Sequence, residues 1–198
     1  KPRDEKLILY TGGCSKLKGG LIAVKALEYL KHDHVKLVFL QYEKKNRGGG
    51  LQEIKNIVKR FVGKDYQYLV EQEIEKHGLQ GKVIFRPSTD CVEKYYLATD
   101  AVVFPSTLAH QARPIYESGA AEIPIFITDF ENTKEFVDET NGYCFPVSNA
   151  KKLAERIDEW IDRPEEALTR IEKNKMETLH NHNLNDLRKE LISFFHDI

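Results

Sequence analysis

Six short apolar runs, rich in β-branched and aromatic residues, alternate along this chain with longer stretches of helical periodicity, and that alternation leaves few folds open. The runs are KLILY at 6–10, VKLVFLQY at 35–42, KVIFRP at 82–87, DAVVFP at 100–105, IPIFITD at 123–129 and NGYCFPV at 141–147. Several are almost continuously apolar, as strands covered on both faces should be. Between the first two, residues 17–31 place Leu21, Ile22, Val24, Ala26, Leu27 and Leu30 on a wide helical face. Residues 43–50 are polar and glycine-rich, a surface loop. Residues 51–78 predict one interrupted helix or two, with a break at Gly63 and a stop at Gly78. Helices are further predicted over 90–99 with Asp90 as cap, over 110–120, and over 132–139 with Asn132 or Thr133 as cap. A helix over 149–180 is broken near Pro164, and a terminal amphipathic helix covers 184–198. The expected fold is α/β: a Rossmann-like three-layer sandwich whose mostly parallel sheet has about six strands. Such sheets take ligands beyond the carboxyl ends of their strands, where the strand order reverses.

At 198 residues the chain is long enough for one domain with a sizeable core. Its formal charge of −1 offers no overall basic field for nucleic acid. No apolar run is long enough to cross a membrane, and residues 1–10 lack the apolar segment of a secretion signal. The chain meets its first apolar strand almost at once, so more protein upstream is expected. Three widely spaced cysteines, Cys14, Cys91 and Cys144, form no CxxC pair; the odd count argues against a disulfide framework and for a reducing cytoplasm. The histidines of HDH at 32–34 and HNH at 180–182 read as exposed polar turn residues, not as metal ligands.

Two segments at strand carboxyl ends carry candidate chemistry. TGGCSKLKGG at 11–20 links the first strand to the first helix. Gly12 and Gly13 let backbone amides approach an anion, and Lys16 and Lys18 add charge beside a helix N-terminus. The pattern is neither GxGxxG nor a Walker A loop; a tight turn with solvent-exposed lysines explains it as well. HQARPIYESGA at 110–120 places Pro114 at the first helical position. The amides of Gln111, Ala112 and Arg113 would then face outward as a second anion site, with the Arg113 guanidinium able to pair with a phosphate. Glu117 follows one turn later, and a carboxylate accepts the two donors of a ribose diol. The alternative is an (i, i+4) surface pair of Arg113 with Glu117.

The order of CVEKYYLATDAVVFPS, RPIYESGAAEIPIFITD and TKEFVDETNGYCFPVSNAKKLAERI, preceded by GGCSKLKGG, resembles the C-terminal domain of the retaining nucleotide-sugar glycosyltransferases of GT-B architecture, the group 1 (family 4-like) type. The resemblance covers about residues 7–162. It implies that residues 1–198 are a single nucleotide-sugar-binding domain, one half of a GT-B enzyme, ending in terminal helices over 149–198. The acceptor-binding N-terminal domain would lie outside this chain. The implied activity is transfer of a hexosyl group from an NDP-sugar donor to a glycan or lipid-linked acceptor, without a metal or other cofactor, in cytoplasmic polysaccharide biosynthesis. It is compatible with peripheral membrane association of the whole enzyme. Carried over by position, Lys18 resembles the lysine on the donor diphosphate, and Glu117 the second glutamate of the family's E-x7-E motif, on the ribose. Phe85, Arg86 and Pro87 sit where the family contacts the nucleobase, largely through backbone. The chain departs from the pattern at Ala109, where the first glutamate would touch the donor sugar; His110 or Gln111 is a candidate replacement. Gly12 and Gly13 stand where a basic residue commonly follows the first strand, and Lys16 could supply that charge.

Two other readings remain open. One is a half-domain of a sugar-nucleotide epimerase, which the motif order fits less well. The other is a binding module without transferase activity, which Ala109 favours. A response-regulator-like domain is disfavoured, because Gly-Gly-Cys replaces the acidic cluster expected after the first strand. Leu191, Ile192, Phe194 and Phe195 form an apolar cluster near the C-terminus. Packing on the domain's own sheet is the expectation; docking toward a missing domain is the alternative.

Overall fold

The computed structural model describes residues 4–43, 65–109 and 113–196. Six strands, β1 (Lys6–Tyr10), β2 (Val35–Phe39), β3 (Val83–Phe85), β4 (Ala101–Phe104), β5 (Ile125–Thr128) and β6 (Tyr143–Phe145), form one sheet in the order β3-β2-β1-β4-β5-β6. Every pairing is parallel; Ile8, for example, lies opposite Leu37 on β2 and Ala101 on β4. The order reverses between β1 and β4, which is where a doubly wound sheet opens a crevice.

Alternation along each strand divides the core in two. Ile8, Tyr10, Leu37, Phe39, Val103, Phe126 and Tyr143 pack on one face, under α1 (Gly20–Tyr29), α2 (Tyr66–Lys76) and α5 (Ala150–Asp162). Leu9, Val38, Val102, Phe104, Ile125 and Ile127 pack on the other, under α3 (Glu93–Ala98) and α4 (Pro114–Ala120). Helix α6 (Pro164–Asn181) lies against α4, and α7 (Leu184–His196) ends the described chain. Asp100 fastens the N-terminal edge of the sheet by accepting the Leu7 amide at 2.7 Å.

The α4–α6 crossing depends on a small residue. A Cβ on Gly119 would stand 2.1 Å from Thr178 Oγ1 and 2.9 Å from the Asn174 carbonyl. Asn174 is buried there and donates to Ser118 Oγ at 3.1 Å and the Ile115 carbonyl at 3.3 Å. Gly119→Ala is therefore expected to cost about 1–3 kcal/mol through overpacking. Thermal melting of the variant checks this, and an unchanged midpoint would show that the crossing has slack.

The sequence expectations hold for the strands, the stop at Gly78 (φ 63°) and the break at Pro164. Others need correction. The first helix starts at Gly20 and not at residue 17, because Gly19 takes a left-handed conformation. Helix α3 starts at Glu93 without a side-chain cap; Thr89, not Asp90, accepts the Cys91 amide. The helix predicted over 132–139 shrinks to a 3-10 turn (Glu131–Thr133). There the Thr133 hydroxyl donates back to the Phe130 carbonyl, and Asn141 Oδ1 takes the Asp138 amide, which draws the backbone into turns. Leu191, Ile192, Phe194 and Phe195 do not pack on the sheet; all four are exposed on α7. The histidines of 180–182 are exposed as expected, with the His182 ring tilted over Tyr116, whereas His32 and His34 are half-buried and His32 pairs with Asp162. The loop at 44–50 and the break at Gly63 lie outside the described residues.

Candidate functional site

A cleft of about 310 Å³ opens at the carboxyl ends of β1, β2 and β4. Thr11, Gly12 and Lys18 enter it from the loop after β1, and Leu40 and Gln41 from the end of β2. Phe104 comes from β4, Thr89 and Val92 from the approach to α3, and Arg113, Pro114 and Glu117 from the start of α4.

The loop after β1 is held from both sides. The buried Tyr10 hydroxyl donates to the Gly13 carbonyl at 3.0 Å. Burial keeps this phenol protonated well above its ordinary range. Ser106 Oγ and the Thr107 amide donate to the Leu17 carbonyl at 3.1 and 2.9 Å, joining this loop to the one after β4. Gly12 allows the close approach: a Cβ there would meet the Tyr10 hydroxyl at 2.4 Å and Lys18 Cβ at 2.6 Å.

Two cations converge on the cleft. Lys18 Nζ lies 5.5 Å from the centre of the Phe104 ring. Partial burial first, and then the charge of Arg113, lower its pKa from the ordinary lysine value. The positive charges of Lys18 and Arg113 therefore work against each other across an opening that an anion would relieve. Arg113 is itself helical in conformation (φ −47°, ψ −36°), and its carbonyl accepts the Tyr116 and Glu117 amides. Pro114 takes the first helical position as expected.

Glu117 contributes a carboxylate from the same helix. Its Oε2 accepts a hydrogen bond of 2.6 Å from the Tyr96 hydroxyl. Burial, and then the bond to Glu117, push the Tyr96 phenol far above its ordinary pKa, so it remains a donor.

Of the residues singled out in the sequence, the cleft brings together Gly12, Lys18, Arg113 and Glu117. Gly13 stands behind it in a left-handed conformation (φ 59°). Lys16 is exposed and outside the lining. Arg86 and Pro87 are exposed beyond β3 and are not part of the lining either. The Arg86 amide already bonds the Phe39 carbonyl at 2.9 Å, and its carbonyl takes the Tyr42 amide at 3.0 Å. His110, Gln111 and Ala112 lie outside the described residues, and Ala109 is exposed beside them. Sequence reasoning missed Thr11, Gln41, Thr89, Val92, Phe104 and Tyr96. A group with metal-ligating side chains exists elsewhere: His77 stands between Glu28 and Glu73 at the C-terminal ends of α1 and α2. Those helices end where β2 and β3 begin, at the end of the sheet opposite the cleft.

The sequence model of the family "Glycosyl transferases group 1" matches residues 1–178. The spore coat protein SA of Bacillus subtilis is 27% identical over 171 residues, which cover 81% of this chain and 41% of that protein. Among solved structures, Anabaena HepE in complex with UDP and glucose superposes with a TM-score of 0.81 at 17% identity, over 98% of this chain and 49% of HepE. The C-terminal domain of LpcC, a glycosyl transferase group 1 family protein from Francisella tularensis, superposes with a TM-score of 0.68 at 18% identity, over 90% of this chain and 85% of that domain. The chain thus spans about half the length or less of spore coat protein SA and HepE.

Proposed function

The chain belongs to the group 1 glycosyl transferases, and from that membership we propose that its cleft binds the nucleotide of an NDP-sugar donor. The whole enzyme then moves a hexosyl group, with retention, to a glycan or lipid-linked acceptor held by its remaining half. The observation that carries the reading is the convergence of Lys18 and Arg113 on one cleft with the Glu117 carboxylate one helical turn beyond Arg113. Two cations suit a diphosphate, and a carboxylate suits the adjoining ribose diol. The complexes of HepE with UDP make UDP the first nucleotide to try. The three cysteines, none of them in a disulfide, suit a cytoplasmic enzyme.

No metal is needed in this reading, since the protein's own cations meet the diphosphate. UDP affinity measured by calorimetry is expected to be the same with a chelator as with Mg²⁺ or Mn²⁺. A strict requirement for either cation would overturn the metal-independent reading. Ala109, where the family pattern has its first glutamate, supports a second reading: donor binding without turnover. Release of UDP from UDP-sugars by the protein, with and without simple acceptors, separates the two.

A further inference from the structure

We propose that Tyr96 is a positioning residue for the ribose-binding carboxylate. The inference rests on the nucleotide reading of the cleft given above.

The pair joins two elements: Tyr96 belongs to α3 and Glu117 to α4. The Tyr96 ring is 3% exposed, packed in the apolar layer with Leu9, Val102 and Ile115. Its hydroxyl is thereby fixed and reaches Glu117 Oε2 at 2.6 Å. A hydrogen bond of this length to an ionised acceptor is of the strong, charge-assisted kind. It selects one orientation of a carboxylate that would otherwise sample several rotamers. With Oε2 engaged, Oε1 and the remaining lone pairs are left for the cleft, where two vicinal hydroxyls would need two acceptors.

A purely structural role for Tyr96 is the competing account: Glu117 would merely satisfy a buried phenol. The two accounts differ in what they say about the ribose. Tyr96→Phe keeps the buried ring and removes only the hydroxyl. It is expected to weaken UDP by about three- to tenfold, the effect of ordering one side chain at the moment of binding. Affinity for 2′,3′-dideoxyuridine diphosphate should not change, and in a Glu117→Ala background Tyr96→Phe should have no further effect on UDP. The ratio of the two affinities is read within one protein, so it does not depend on stability and keeps the test decisive if Tyr96→Phe is destabilised. Equal losses for both ligands, or no loss for either, overturn the proposal while leaving Glu117 as the ribose contact. If Glu117→Ala itself fails to distinguish UDP from the dideoxy compound, the nucleotide reading of Glu117 falls, and the proposal falls with it.

Discussion

Gly19→Ala is expected to lower the melting temperature by roughly 4–20 °C, the largest effect on stability of any single substitution around the cleft. Two independent penalties act at this position. Its φ is 75°, a left-handed conformation that costs a residue with a Cβ about 1–2 kcal/mol. The added Cβ would also stand 1.7 Å from the Pro105 carbonyl oxygen and 2.7 Å from its carbon. Those are backbone atoms, which cannot rotate away, so the loops after β1 and β4 must separate at an overpacking cost of about 1–3 kcal/mol. A total of about 2–5 kcal/mol is a large part of the 5–15 kcal/mol typical of a domain. The bonds from Ser106 and Thr107 to the Leu17 carbonyl would be strained by the same movement, so nucleotide affinity should fall with stability. Gly13→Ala is the control. It shares the left-handed conformation (φ 59°), but its Cβ would come no closer than 3.1 Å, to the Gln41 side chain. A smaller drop is expected there. If the two variants melt alike, the close approach of Gly19 to Pro105 contributes nothing.

What the sequence revealed, and what it hid, follows from the range of each interaction. The strands were legible because apolar periodicity is local, and because a parallel sheet buried on both faces leaves continuous runs such as Ala101–Phe104. Gly12, Lys18, Arg113 and Glu117 were legible because glycines, charges and a proline at a helix start are conspicuous against apolar strands. Tyr96 was not. In KYYLATD it looks like a core tyrosine, and it is one, at 3% exposure. Its second role exists only because α3 brings its hydroxyl to a residue 21 positions later. Phe104 and Gln41 became cleft residues in the same way, through the order of strands and not through their neighbours in sequence. The helix expected over 132–139 failed for the opposite reason. Helical spacing was present, but Thr133 and Asn141 offered the backbone competing local hydrogen bonds. Arg86 and Pro87 follow from position in the chain alone, and the Arg86 amide is engaged by the Phe39 carbonyl of β2.

Lys18→Ala and Glu117→Ala should separate the two parts of the nucleotide. Lys18→Ala is expected to weaken UDP by about ten- to a hundredfold, the loss that follows removal of one charged hydrogen-bond partner at about 1.5–3 kcal/mol. Uridine, which has no phosphate, should bind as it does to the parent. Glu117→Ala should weaken UDP and uridine by similar factors, because the ribose is common to both. Arg113→Ala should resemble Lys18→Ala in kind but be smaller, since Arg113 is exposed and its field is screened by water and salt. Lys18 is partly withdrawn from solvent beside Phe104, so its loss is compensated less. Raising the ionic strength should narrow the gap between parent and Lys18→Ala for UDP, and leave the Glu117→Ala effect on uridine nearly unchanged. Calorimetry on the parent and three variants, with competition where uridine binds weakly, provides the comparison. Parent-like UDP binding by both Lys18→Ala and Glu117→Ala would place the nucleotide somewhere other than this cleft. Equal losses of UDP and uridine in Lys18→Ala would mean that the lysine shapes the loop and does not meet the diphosphate.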